Sequence, residues 1–453
     1  LTIDLDASEG ADGIAATLIG IPGTPATSLT VKGAGPLTDF AADVALRTDG
    51  EDRLAGKVTL TGVETGGIGL GVDLAGDLAP LFLPDYATFF GDNVQLAATG
   101  TRHADGRLDL ADLSLKASAM NVQGSLALSS DGLPQRFDLT AQIANPRGGS
   151  VLLPLTSDVE TRLESANVKL SFDSASDRGW KADIAVLGLD REDFQAREVR
   201  LTGSGRIVRL MGARTVGGTF QFQAAGLAPQ DPDLARAIGD TVTGQASMRW
   251  REGDGSFTVQ SLSLAGADYG ATVSGHIAGL NDALSVTGKA EVTAQDLSRF
   301  AGLAGRPITG AGVVSLTGSG SPLTGAFDVQ AEVRGTDLAL GIAQVDQALR
   351  GQSQVNADVL RDTTGTTLRS FSATAGTIGI NGSGSLASGA VNLTAAVTVG
   401  NLGTFGPGLR GSVSSNVKIT GAPNAAVLTL DGTARGLAVG QPEADRLWAG
   451  ETR

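Results

Sequence analysis

Apolar and polar residues alternate with a period of two along most of the chain, as in strands with one dry face and one wet face. Phe327-Asp328-Val329-Gln330-Ala331-Glu332-Val333-Arg334 is apolar at odd positions and polar or charged at even ones. Asn167-Val168-Lys169-Leu170-Ser171-Phe172-Asp173, Phe220-Gln221-Phe222-Gln223-Ala224 and Asn416-Val417-Lys418-Ile419-Thr420 follow the same rule. Turn clusters separate the runs: Asp105-Gly106, Asp131-Gly132, Asp254-Gly255 and Gly320-Ser321-Pro322. Helical spacing is confined to short stretches: Leu78 to Phe90, Asp233 to Ile238, Gln295 to Leu303, Asp346 to Arg350 and Glu443 to Ala449. Asp233 and Asp296 stand where an N-cap or first-turn acid is useful.

The chain also echoes itself. Thr336-Asp337-Leu338-Ala339-Leu340-Gly341, with Asp346-Gln347-Ala348-Leu349-Arg350-Gly351, returns 99 residues later as Arg435-Gly436-Leu437-Ala438-Val439-Gly440, with Asp445-Arg446-Leu447-Trp448-Ala449-Gly450. Leu297 and Phe300 are matched by Leu402 and Phe405. Pro84-Asp85 and Gly91-Asp92 return 148 residues on as Pro232-Asp233 and Gly239-Asp240. Asp105-Gly106 with Leu113-Ser114-Leu115 returns at 149 as Asp254-Gly255 with Leu262-Ser263-Leu264. Gly33-Ala34-Gly35-Pro36-Leu37-Thr38 resembles Gly318-Ser319-Gly320-Ser321-Pro322-Leu323-Thr324. Repeats of several strands and one short helix point to an array.

Strands with a dry face must bury it, and the short helices cannot cover so many. The expectation is a mostly β fold: an elongated, repeat-built antiparallel sheet curled into a trough with an apolar inner face, plus a few short helices. Abundant Ala, Gly, Ser and Thr eases such bending. At about eleven residues per strand and turn, roughly 40 strands at ~4.8 Å would extend about 190 Å. On the residues alone the dry faces fit either a sealed core or an open groove.

Composition narrows the chemistry. The chain has 453 residues, 64 of them Gly, with 4% aromatics and a net charge of −14, which repels nucleic acid and leaves no basic patch for a membrane surface. Cys is absent, so disulfides, zinc thiolates and thiol nucleophiles are excluded. Gly33/Gly35, Gly203/Gly205, Gly318/Gly320 and Gly382/Gly384 read as turns or bulges, because none leads into a phosphate-binding helix. His103 and His276 are the two histidines and have no carboxylate cluster at ligand spacing. Asp4, Asp6, Glu9 and Asp12 imitate a calcium loop but place Glu9 where that loop needs Gly. No residue set suggests an enzyme, a metal or a cofactor. Two Tyr and three Trp are too few for the girdles of an outer-membrane barrel. The uncharged stretch from Ser370 to Leu409 is broken by Gly, Asn, Thr and Pro407, so it is not a membrane span. A start at Leu1 without Met and a stop at Glu451-Thr452-Arg453 read as a piece of a longer protein.

An ordered series of motifs carries a resemblance. It comprises the short helix with Leu297 and Phe300, Gly305-Arg306-Pro307-Ile308-Thr309-Gly310, then Gly318-Ser319-Gly320-Ser321-Pro322-Leu323, Thr336-Asp337-Leu338-Ala339-Leu340-Gly341 and Asp346-Gln347-Ala348-Leu349-Arg350-Gly351. The series resembles the TamB subfamily of the AsmA-like proteins, of alphaproteobacterial type. The resemblance is clearest over residues 295–453 and weaker over the β-repeat region 1–294, the two read as one continuous structure. It implies a periplasmic protein of the cell envelope, anchored to the inner membrane outside this chain, with a groove for phospholipid transport to the outer membrane. It also implies a role in outer-membrane protein and autotransporter assembly with a barrel partner of the TamA/BamA type. On that reading the groove is lined by Val168, Leu170, Phe172, Phe220, Phe222, Phe327, Val329, Val333, Val417 and Ile419, and the partners are phospholipid acyl chains. The alternative is an assembly scaffold that templates client strands at an open sheet edge.

Overall fold

The computed structural model describes residues 1–449 apart from 65, 156–158, 177, 178, 211, 212, 254, 280–283, 407, 441 and 442. It forms two compact units, Leu1–Val208 with Gly218–Gln230, and Arg209–Gly217 with Asp231–Arg453. Each unit is predominantly antiparallel β-structure, and most strands pair with their neighbours in the chain, although β9 (Pro134–Ala144) pairs directly with β12 (Ser165–Asp173).

The first unit opens with β1 (Thr2–Glu9), the helix α1 (Ile14–Ile19), β2 (Thr27–Ala34), β3 (Asp39–Thr48), β4 (Glu51–Gly62) and β5 (Ile68–Gly76). After the helical turns Ala79–Leu81 and Pro84–Tyr86 and the single-turn α2 (Ala87–Phe90) come β6 (Val94–Arg102), β7 (Leu108–Lys116), β8 (Met120–Leu128) and β9 (Pro134–Ala144). Two short strands, β10 (Val151–Leu152) and β11 (Thr161–Leu163), precede β12 (Ser165–Asp173), β13 (Gly179–Arg191), β14 (Phe194–Leu210), β15 (Ala213–Ala225) and β16 (Ala228–Pro229). β14 and β15 both contribute residues to both units.

The second unit starts at α3 (Pro232–Ile238) and β17 (Thr241–Arg251), β18 (Ser256–Ala265), β19 (Tyr269–Ala278) and β20 (Ser285–Ala294). The turn Leu297–Phe300 leads to β21 (Thr309–Ser321) and β22 (Ala326–Ala339). Then come α4 (Ala343–Ala348), β23 (Gln352–Asp362), β24 (Gly365–Ala375), β25 (Ile378–Ala387) and β26 (Ala390–Val399). After the turn Leu402–Phe405 the unit closes with β27 (Leu409–Gly421), β28 (Val427–Val439) and β29 (Glu443–Ala449). Thirteen such strands side by side extend about 60 Å, against about 35 Å along a ten-residue strand.

Three expectations need correction. Residues 443–449 form β29, paired with β28, rather than a helix. Leu78 to Phe90 is a series of single turns, with Pro80 second in one and Pro84 first in the next. The described strands number 29 rather than about forty, because many run ten to fourteen residues. The other short helices occur near where they are expected. Asp233 is the first-turn acid of α3 and the adjacent Asp231 is its cap, accepting from the N–H groups of Asp233 and Leu234, while Asp296 caps its turn by accepting from Ser298 N–H. Of the expected turn residues, Gly106 and Gly132 have φ of +90° and +77°, while Asp254 lies outside the described residues.

The echoes mark repeated irregularities. Gly310 and Gly411, both at φ +102°, interrupt the pairing of β21 with β22 and of β27 with β28. Opposite them, Asp337 and Gly436 turn the chain at φ +50° and +60°. The second family of echoes is a double bulge in β7 and β18, between Leu110 and Leu113 and between Val259 and Leu262. A third copy, unseen in the sequence, lies in β24 between Leu368 and Phe371.

Connections in a meander alternate between the two rims of the sheet. In the second unit α3, α4 and both 3₁₀ turns fall on one rim, while the described connections of the other rim are tight hairpins. Arg299 and Tyr269 tie that helical rim together. Arg299 Nη1 donates to Ala237 O at 3.2 Å and Tyr269 Oη to Ile238 O at 2.9 Å, both at the end of α3. Arg299 Nε lies 2.8 Å from Asp268 Oδ1, and the guanidinium stacks over the Tyr269 ring. Burial holds the Tyr269 hydroxyl above its ordinary pKa, against the opposing charge of Arg299.

Candidate functional site

Residues directly opposite each other in an antiparallel sheet project from the same face, so the register sorts the side chains. Val329 of β22 lies opposite Gly318 on one side and Val359 on the other. One way the row continues through Gly288, Gly275 and Val259. The other way it continues through Leu368, Gly384, Leu393, Ile419 and Leu428. From β18 to β28 this row holds no polar side chain. The row through Val417 joins Leu430, Ala395, Gly382, Phe371, Ala357, Ala331 and Leu316. Val333 sits between Val314 and Val355, and Phe327 beside Gly320.

The other face is polar by the same argument. Gln330 lies opposite Thr317 and Asp358, and Lys418 opposite Thr394 and Thr429. Arg369 donates to Asp328 at 2.6 and 2.8 Å and to Asp358 at 2.9 Å, tying three strands across this face.

The apolar face of the second unit is open. Val314, Leu316 and Val292 retain 36%, 42% and 46% of their accessible surface, more than a sealed core leaves. A depression of about 570 Å³ sinks into this face over β18 to β22. Gly275, Gly288 and Gly318 form its floor, and Val259, Phe327 and Val329 are among its walls. The floor glycines are also required by the packing: a Cβ at Gly318 would meet the Asp328 carbonyl oxygen at 2.2 Å.

In the first unit Val168 lies between Ala141 and Ile184, Leu170 between Leu139 and Ala182, and Phe172 between Phe137 and Trp180. The row through Val168 is apolar or Gly from Leu5 of β1 to Leu201 of β14. Here the face is partly sealed. Phe172 is only 4% exposed and contacts the Phe137 ring at 5.6 Å. Phe220 packs its ring 5.2 Å from Trp180, over the space left by Gly203, and both Phe220 and Phe222 are half-buried. Phe89, Phe90, Val94, Ala119 and Val151 close a small core beside α2. Phe172 is therefore a core residue, while Phe327, Val329, Val333, Val417 and Ile419 stand half-open.

The remaining candidates have structural partners. Glu9 accepts from the N–H groups of Ala15 and Ala16 and from Thr27, which hold its carboxyl below the ordinary pKa, so it caps α1. Asp12 accepts from Thr24. His103 Nε2 lies 2.7 Å from Asp109, and His276 Nδ1 lies 3.0 Å from the Thr258 hydroxyl. Among the described residues no cluster of three His, Asp or Glu could hold a metal, and no helix is long and apolar enough to cross a membrane.

Comparison of the chain with protein-family models, with curated proteins and with solved structures finds no match.

Proposed function

We propose that this chain is a segment of a lipid conduit, in which phospholipid acyl chains lie along the apolar face and headgroups stay in water. The observation that carries the proposal is the row through Val329: eleven successive strands without a polar side chain, on a face left open to solvent. Each methylene laid on such a surface contributes about 0.8 kcal/mol at full burial, so a tail can leave a membrane without facing water. The row through Val329 offers no hydrogen-bonding side chain to select one lipid tail over another, which suits movement along it better than tight capture. The resemblance to TamB-like proteins supports reading this conduit as periplasmic, between inner and outer membranes, with curling of the sheet into a trough as its means of shielding the tails.

The test is direct. Phospholipid with a photoreactive acyl chain is crosslinked to the purified chain, and the adducts are mapped by mass spectrometry. Adducts on Val329, Val359, Leu393 and Ile419, with none on Gln330 or Lys418, support the conduit. A purified chain that takes up no lipid, or adducts spread equally over both faces, would leave the assembly-scaffold reading in its place.

A further inference from the structure

The apolar face has a charged exception at one edge. Arg361, near the end of β23, lies directly opposite Phe327 and shares the face of Val359, Ala357 and Val355. It is exposed and takes part in none of the described hydrogen bonds or ion pairs. Its neighbours do not satisfy it. Asp328 and Asp358 project from the other face and are held by Arg369, and Asp362 accepts from Thr364 within its own turn. Phe327 and Val329 belong to the wall of the 570 Å³ depression, and Arg361 stands beside Phe327 on the next strand, just beyond that wall.

The first unit repeats the arrangement by itself. Arg102, near the end of β6, lies opposite Ile68 and Leu108 on the face of Gly100 and Ala98. It too is exposed and outside the described ion pairs. Both arginines occupy the last apolar-face position before a hairpin, on the rim that lacks helices. In a chain of net charge −14, an unpaired cation at an apolar rim complements a ligand with a hydrocarbon tail and an anionic head.

We infer that Arg361 receives the phosphate of a phospholipid whose acyl chain occupies the depression over β18 to β22. The inference rests on the conduit reading and adds an orientation: heads travel along the hairpin rim, tails point toward the helical rim. It also makes this part of the face a station, where a lipid pauses, rather than a uniform slide.

The experiment uses the full chain and two fluorescent probes with identical acyl chains, phosphatidylglycerol and the phosphate-free diacylglycerol. Arg361→Gln should weaken phosphatidylglycerol binding roughly tenfold, the scale of one charge-assisted hydrogen bond, and leave diacylglycerol binding unchanged. Lys418→Gln on the polar face should alter neither. Ala290→Phe, which fills the hollow, should weaken both probes, with an unchanged thermal midpoint showing that the sheet is intact. If Arg361→Gln behaves like Lys418→Gln while both probes bind the parent chain, the headgroup site is wrong and the conduit stands. If neither probe binds the parent chain, both readings fall.

Discussion

Arg369 Nη2 lies 2.6 Å from Asp328 Oδ2 although β22 and β24 are not neighbours in the sheet. The contact exists because β24 carries one residue too many. Asp358 pairs with Ser370 and Val359 with Leu368, which leaves Arg369 without a partner on β23 and free to reach over that strand. The extra residues of the equivalent bulges are Ala111 and Gln260, and Gln260 accepts from Ser247 of the neighbouring β17 at 2.7 Å.

This tie is pH-dependent. Hydrogen bonds from Arg369 hold the Asp328 carboxyl below its ordinary value of 3.8. A lowered folded pKa contributes stability that is complete above 3.8 and is lost as pH falls through the folded value. Asp328→Asn should therefore lower the thermal midpoint slightly at neutral pH, and the difference should shrink at a second, acidic pH below 3.8. An equal deficit at both pH values would show that the side chain acts by packing rather than charge.

The repeated bulge at Gly310 and Gly411 depends on backbone freedom. At φ +102°, a Cβ on Gly310 would also sit 2.5 Å from the Asp337 carbonyl oxygen. Gly310→Ala should cost more than about 1 kcal/mol in denaturant unfolding. Gly325→Ala, with φ +69° and open space around it, should cost less.

Alternation exposed the two faces because strand geometry leaves no freedom: Phe327, Val329 and Val333 must share a side. Other features had no local signal. The bulge needs an extra residue but no particular side chain, so Ala111, Gln260 and Arg369 look unrelated. α1 is capped by Glu9 from across a turn rather than by an adjacent Ser or Asp, and reads as loop. Residues 443–449 have helical spacing, yet β28 offers them an edge, and pairing overrides local preference. Phe172 and Val329 follow the same alternation in sequence; only their neighbours, the Phe137 ring for one and Gly318 for the other, make one a core residue and leave the other half-open.

The helical rim gives a third prediction. Arg299 is 17% exposed and joins Asp268, Tyr269 and the end of α3. Arg299→Ala strands a half-buried Asp268 carboxylate and should cost about 2 kcal/mol. Hydrogen exchange should rise in α3 and leave β24 to β26 unchanged. Faster exchange throughout the unit would mean that the rim staples the whole sheet.

The two faces of β22 can be separated by one charge. Val329→Asp places a carboxylate in the apolar row, while Gln330→Asp places it on the wet side. Because the face is open, the new carboxylate can hydrate, so both variants should fold with similar midpoints. Acyl crosslinking near β22 should fall several-fold for Val329→Asp alone. Unfolding of Val329→Asp would mark a sealed core instead, and unchanged crosslinking would remove this row from the path.

A sheet whose helices all sit on one rim can change length without being redesigned. Adding one hairpin inserts two strands, returns the chain to the same rim and keeps every side chain on its own face; adding one strand does neither. Descendants of such a chain can thus differ in steps of two strands, about 10 Å each, and the distance they span is fitted by counting hairpins rather than by altering any contact along the way.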